Sequence, residues 1–314
     1  MPSGETKKVL EPPQHELPAK DAVGLAFSAG GARGAYQIGC WKAFMEQGLE
    51  FDTCAGSSIG ALNAALVVQR DWDRAHDLWA TLARSPIPRT EIRRLRRLAL
   101  KTAVELGLLL APLPKVQVGR LVKAALSSAV LFRRRGSLRT LSREGLLNLE
   151  SFRPMVSKHL DMAEVLDRPT PVLVTASKLP GWKEPTGAAH WFKLQDFDVE
   201  TAWKLLAASM SLPVLCQSVE LEGGRYRDGG FTQWLPIGPL YESGFRKIVA
   251  VSTRPGLNYK PDDYPDCEIA VVSPERPLGR FPFATLRFRE EAVFAWMDQG
   301  YHDGQKTLDA CSMR

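Results

Sequence analysis

The run Gly56-Ser57-Ser58-Ile59-Gly60 constrains this chain more than any other feature. It joins a short apolar run, Phe51 to Ala55, to an alanine- and leucine-rich run, Ala61 to Val68. Gly-x-Ser-x-Gly between a strand-like and a helix-like segment is the sequence form of a sharp strand-to-helix turn, the nucleophile elbow. Gly56 and Gly60 suit a turn too tight for side chains beside the serine. Such a turn lifts the Ser58 hydroxyl clear of the sheet. The helix that follows aims its N-terminal N–H groups at the same spot.

A second glycine motif lies about 25 residues upstream. Val23 to Phe27 reads as a buried strand and Ala35 to Phe44 as a helix. Between them stands Ser28-Ala29-Gly30-Gly31-Ala32-Arg33-Gly34. Strand, glycine loop and helix make a backbone cradle for negative charge. A dinucleotide site would need Gly-x-Gly-x-x-Gly and an acidic residue about 20 residues on. Ala29 occupies the first glycine position, and no acidic residue stands at a clear strand end. The other reading is an oxyanion hole, with N–H groups near Gly30, Gly31 and Ala32 facing a carbonyl oxygen that gains charge during acyl transfer. That reading makes one machine of the loop and the elbow, with Ile59 N–H as a further donor.

The third element is Arg227-Asp228-Gly229-Gly230, just after strand-like residues around a Gly223-Gly224 turn. An aspartate at a strand end, followed by Gly229 and Gly230, is uncrowded on its C-terminal side and free to approach a serine from a neighbouring strand.

These pieces resemble the patatin-like phospholipases. The resemblance rests on residues 28–34, on Gly56 to Gly60 and on Asp228-Gly229-Gly230, in that order and rough spacing. Ala208-Ser209-Met210-Ser211-Leu212-Pro213 adds the Ala-Ser-x-x-x-Pro segment that precedes the aspartate. It covers residues 22–75 and 170–255 well. It implies a Ser–Asp dyad, hydrolysis of lipid acyl esters, and no metal or cofactor. On it Ser58 is the nucleophile, Asp228 the base, and Gly30, Gly31, Arg33 and Gly34 belong to the oxyanion loop. Ala29 departs from the family, which usually has glycine there, and Trp234 stands where an asparagine often follows Asp-Gly-Gly.

A triad would need a late histidine. Of His15, His76, His159, His190 and His302, only His302 is late enough, and it is the candidate for an α/β-hydrolase reading. An unperturbed aspartate titrates at about 3.9, a poor match to an alcohol. A dyad therefore calls for burial of Asp228.

Composition excludes several classes. The five cysteines, Cys40, Cys54, Cys216, Cys267 and Cys311, are odd in number and scattered. That argues against a disulfide framework or zinc site and for a reducing, cytoplasmic setting. Cys40 and Cys54 lie in apolar runs and read as packing residues. Residues 1–21 are polar, with Pro12, Pro13 and Pro18, and read as a disordered lead-in without the apolar core of a signal peptide. No uncharged apolar stretch reaches the roughly 18 residues of a spanning helix.

Charge is concentrated in one segment. Arg84 to Arg143 holds 15 lysines and arginines against 2 acidic residues, so it carries +13 where the whole chain carries +6. Ile92, Leu95, Leu98, Ala99, Thr102 and Leu106 recur at helical spacing, with Arg93, Arg94, Arg96, Arg97 and Lys101 between them. A basic helical cap that meets anionic lipid headgroups is one reading, and an insert with solvated charges is the other. Nucleic acid is disfavoured, since no aromatic residue interleaves with the arginines before Phe132.

The fold expected is α/β, a doubly wound and mainly parallel sheet flanked by helices. It forms one domain over residues 22–314, with a basic helical insert at about residues 84–147. Strands are expected at 171–177, 247–253 and 268–273. A helix is expected over 198–208 with Asp198 as its cap, and a long helix over 288–313 broken near Gly300. The function expected is hydrolysis of phospholipid or lysophospholipid acyl esters at a membrane surface. The alternatives are a catalytically latent lipid-binding protein and a soluble carboxylesterase with a triad. The oligomeric state is left open.

Overall fold

A computed structural model describes residues 18–84, 148–179, 188–213, 215–256, 259–279 and 288–310. Residues 1–17 of the expected lead-in lie outside the described residues. So does the expected basic insert apart from Arg84.

Eight strands form one sheet among the described residues. They are β1 (Val23–Phe27), β2 (Thr53–Ser57), β3 (Val172–Lys178), β4 (Ala188–Lys193), β5 (Val219–Leu221), β6 (Gly224–Asp228), β7 (Lys247–Val251) and β8 (Glu268–Val272). The order is β5-β6-β3-β2-β1-β7-β8, with β4 also on β3. The pairs β3–β2, β2–β1, β1–β7 and β7–β8 are parallel. β4 and β6 run antiparallel to β3, and β5 runs antiparallel to β6. The sheet is thus mixed but mostly parallel.

The helices are α1 (Ala35–Glu46), α2 (Ile59–Gln69), α3 (Trp72–Arg84), α4 (Arg153–Val156), α5 (Met162–Asp167), α6 (Val199–Ser209), α7 (Ile237–Glu242) and α8 (Glu290–Ala310). Alternate strand residues serve opposite faces, as the pleat requires. Leu25, Phe27, Val172, Val174, Val249 and Val251 join the larger core with α1, α2, α6 and α8. Ala26, Ala55, Leu173, Ile248 and Ala250 pack with α7 in a smaller one. Every residue of α2 is buried, which is the fate of a helix apolar on all sides. Asp198 caps α6 as expected, accepting the Thr201 N–H at 2.9 Å.

One long helix differs from expectation: α8 runs unbroken through Gly300. A Cβ at Gly300 would lie 2.0 Å from the Tyr36 carbonyl oxygen, and one at Gly39 would lie 1.8 Å from that of Met297. These glycines let α1 and α8 touch backbone to backbone, so Gly300 is a packing residue and not a break.

The arrangement around β3 positions the site. β4 takes one edge of β3 along residues 173–178. β2 and β6 share the other edge and run toward each other. β2 ends with Ser57 opposite Thr175, and β6 ends with Asp228 opposite Ala176. The strand carrying the serine and the strand carrying the aspartate therefore meet end to end.

Candidate active site

Ser58 sits where β2 turns into α2, at φ 56 and ψ −127. This is the first central position of a type II′ turn, which glycine favours and which costs a residue with a side chain about 1–3 kcal/mol. The surroundings hold it there. The Ser58 N–H donates to Ser209 Oγ at 2.9 Å, and Ser209 Oγ donates onward to the Thr175 carbonyl at 2.7 Å. A Cβ at Gly56 would lie 2.2 Å from the Gly60 carbonyl oxygen, and one at Gly60 would lie 2.5 Å from that of Phe27. The turn therefore closes only with glycine on both sides of the serine.

Ser58 Oγ donates to Asp228 Oδ2 at 2.6 Å. The other carboxylate oxygen, Oδ1, accepts the Gly230 N–H at 2.8 Å. The Asp228 backbone is tied as well, its N–H to the Ser211 carbonyl and its carbonyl to Ser177 Oγ. A Cβ at Gly229 would lie 2.2 Å from the Thr175 carbonyl oxygen, so the chain after Asp228 crosses β3 where only glycine fits. Asp228 is 1% exposed. Burial pushes its carboxyl up to about 6, against the pull of the hydrogen bonds from Ser58 and Gly230. A carboxyl raised in this way is better matched to accepting a proton near neutral pH.

The loop before α1 lies beside the elbow, and side chains hold its carbonyls. Gln37 Nε2 donates to the Ser28 carbonyl at 2.7 Å, Thr253 Oγ1 to that of Ala29 at 2.7 Å, and Arg33 Nε to that of Gly30 at 3.2 Å. A trans peptide points its N–H opposite its C=O. The Ala29 N–H accordingly meets the Trp234 carbonyl at 2.9 Å. The N–H groups of Gly30 and Gly31 point away from Thr253 and Arg33 in the same manner. Gly31 has φ 58 and opens a tight turn through Ala32, Arg33 and Gly34. The loop packs on the elbow, since a Cβ at Gly34 would lie 2.9 Å from the Ile59 side chain. Ile59 begins α2, so its N–H is among the unsatisfied donors of a helix N-terminus.

Both departures from the family pattern are accommodated. Ala29 does not have positive φ, so its methyl group brings no backbone strain. Its Cβ lies 2.5 Å from where one would stand on Gly230, which makes glycine obligatory at 230. Trp234 faces two guanidinium groups, with Arg254 Cζ 3.5 Å and Arg33 Cζ 5.7 Å from the ring centroid. Burial, then the neighbouring Arg254, bring Arg33 down to about 10, so it stays charged near neutrality.

A family model described as patatin-like phospholipase matches residues 25–241. The chain belongs to that family. Curated relatives match over short stretches. Lysophospholipase nte1 of Aspergillus terreus is 50% identical over 52 residues, 17% of this chain and 3% of that protein. Neuropathy target esterase sws of Drosophila melanogaster is 40% identical over 70 residues, 19% of this chain and 5% of that protein. The chain thus spans a small part of these relatives. Among solved structures, human GIVD cytosolic phospholipase A2 aligns with a TM-score of 0.51 at 10% identity, over 92% of this chain and 59% of that one. At that identity the likeness is one of fold alone.

In this patatin-like chain the residues singled out from sequence gather in one place. Ser58, Asp228, Gly230 and the Gly30–Gly34 loop adjoin one another, while His302 is elsewhere. It is 66% exposed on α8, with Nε2 3.7 Å from Asp298 Oδ1. Cys40 and Cys54 are buried, and burial raises both thiols. Sequence reading passed over Ser209, Thr175, Ser177, Gln37 and Asn63 as individuals. Gln37 and Asn63 had a signal: each is a polar amide flanked on both sides by apolar residues, and such a group needs a buried partner.

Proposed function

We propose that this chain is a serine acyl hydrolase that cleaves fatty-acyl esters of phospholipids or lysophospholipids through a Ser58–Asp228 dyad. The observation that carries the proposal is the 2.6 Å hydrogen bond from Ser58 Oγ to a buried Asp228 at the meeting of two strand ends. Family membership supplies the reaction class. Relatives described as lysophospholipase and neuropathy target esterase support a lipid ester as substrate.

Ser58 Oγ attacks the ester carbonyl as its proton passes to Asp228 Oδ2. The carbonyl oxygen becomes an oxyanion beside the N–H groups of Gly30, Gly31 and Ile59. The C–O bond then breaks, and the departing lyso-lipid or glycerol oxygen takes the proton from Asp228. Water, deprotonated by the same carboxylate, attacks the acyl–Ser58 ester; the acyl–Oγ bond breaks, Ser58 Oγ takes the proton back from Asp228, and the fatty acid leaves. The group needed as base must be ionised. With Asp228 near 6, kcat/KM for a soluble ester is expected to rise with pH through about 6 and level off above it. Activity that survives Asp228→Asn and is lost in His302→Ala would favour the triad instead.

The latent lipid-binding reading rested on Ala29 and Trp234. Neither displaces the serine, the aspartate or the loop, so the hydrolase reading stands ahead of it.

Membrane contact is proposed from charge alone. No described helix is long and apolar enough to cross a bilayer. Residues 84–143 carry +13, and each basic residue near an anionic surface contributes about 1 kcal/mol within roughly a Debye length. Changing Arg93, Arg94, Arg96 and Arg97 to glutamine is expected to weaken binding to anionic vesicles far more than to neutral ones. Turnover of a small soluble ester should hardly change. Vesicle sedimentation at low and high salt measures this. Equal binding by variant and wild type would leave the solvated insert.

A further inference from the structure

One buried amide pair grips both ends of the candidate oxyanion loop. Gln37 on α1 donates to the Ser28 carbonyl, where the loop leaves β1, at 2.7 Å. Asn63 on α2 donates to the Gly34 carbonyl, where the loop enters α1, at 2.9 Å. The two are joined, Asn63 Nδ2 to Gln37 Oε1 at 2.8 Å. A third member sets the direction. Trp79 on α3 donates from Nε1 to Asn63 Oδ1 at 3.0 Å.

Indole nitrogen only donates. The oxygen of Asn63 must therefore face Trp79, and its amino group must face Gly34 and Gln37. Gln37 in turn must present its oxygen to Asn63 and its amino group to Ser28. Every step follows from the one before, and Trp79, Asn63 and Gln37 are all fully buried. Water does not compete with the chain. A flip of either amide would set oxygen against carbonyl in a dry site and leave buried polar groups unpaired.

From this we infer that Trp79, Asn63 and Gln37 form a directional relay that positions the oxyanion loop. Gln37 and Asn63 are then positioning residues for the acyl-transfer transition state. They reach it only through the loop. By holding the carbonyls of Ser28 and Gly34 on the core side, they fix the tilt of the peptides between. Those peptides carry the N–H groups of Gly30 and Gly31. A loop free to rock would still admit the neutral ester. It would meet the oxyanion less well, because such donors act through their preorganisation. The inference deepens the acyl hydrolase proposal and rests on it.

The test is Gln37→Met, which keeps length and volume and removes both donors, with Trp79→Phe as a second variant that removes one N–H and keeps an aromatic ring. Removing an oxyanion donor outright costs about 10²–10³ in kcat, so loosening its support is expected to cost about 10–100-fold, with KM nearly unchanged. Two probes separate positioning from general damage. A long-chain alkyl trifluoromethyl ketone, whose adduct with Ser58 carries an oxyanion, should lose affinity by the same factor as kcat. An unreactive 1-O-alkyl ether analogue of lysophosphatidylcholine should bind as it does to wild type. The relay is overturned if a folded variant keeps kcat within about twofold of wild type, or if both probes weaken equally. If Gln37→Met fails to fold, Trp79→Phe decides by the same measures. Failure of wild type itself to form the ketone adduct on Ser58 would count against the hydrolase reading, not the relay.

Discussion

Ser58→Ala is expected to cut ester hydrolysis by about 10⁴-fold or more, the loss typical of removing a nucleophile, without unfolding the protein. Among the described residues the Ser58 hydroxyl makes one hydrogen bond, to Asp228. Ser57→Ala should be mild by comparison for turnover. Its hydroxyl donates to the Gln233 carbonyl and pairs with Thr175, so it supports the sheet end and not the reaction. Strain gives the position a second, opposite readout. At φ 56 and ψ −127 glycine is at ease where serine and alanine are not. Ser58→Gly should therefore be as inactive as Ser58→Ala yet more stable than it, by about 1 kcal/mol. Thermal melting of the two inactive variants side by side measures the difference. A glycine variant that melts below the alanine variant would mean the elbow is not strained.

On the proposed dyad, Asp228→Asn should cost nearly as much activity as Ser58→Ala, since residues that act as one unit lose function together. Its effect on stability should have the other sign and depend on pH. The folded carboxyl titrates near 6, above its ordinary value of 3.8. Between those values the folded state holds a proton that the unfolded state has lost. Wild-type stability attributable to this group therefore falls as pH rises from about 4 to 6, and the full penalty remains above 6. The penalty is on the order of 3 kcal/mol. Asparagine never ionises. Relative to wild type, Asp228→Asn should gain stability as pH climbs through that window and keep the gain above it. Denaturant melts of both proteins across the window check the sign. A stability difference independent of pH would mean that Asp228 is not held in an unfavourable charged state.

Much of this was legible in the sequence for a simple reason. Features set by local sterics announce themselves locally. Gly56, Gly60 and Gly229 are glycines because a Cβ there would strike backbone, and Asp198 caps α6 because its side chain reaches the next turn. Long-range placement does not announce itself. The aspartate was expected to approach from a neighbouring strand. It arrives end-on, because β6 shares an edge of β3 with β2. Strand β4 was missed, and only one of its residues, Phe192, is buried deeply enough to leave a clear apolar signal. The apolar run before the elbow stops at Ala55, but β2 does not. It runs to Ser57, since Gly56 and Ser57 pair with Val174 and Thr175 despite the weak strand preference of glycine. Gly300 was expected to break a helix and instead packs one. The partners of Gln37 and Asn63 were hidden for the same reason as the approach of Asp228: they lie on other elements.

The most direct test of the account is the rate and site of covalent labelling by an alkyl fluorophosphonate, followed by mass spectrometry of the labelled peptide. The account predicts a single adduct, on Ser58. Its formation should slow by more than about 100-fold in Asp228→Asn and keep its wild-type rate in His302→Ala. An adduct on another residue, or labelling that survives Asp228→Asn and disappears in His302→Ala, would contradict it.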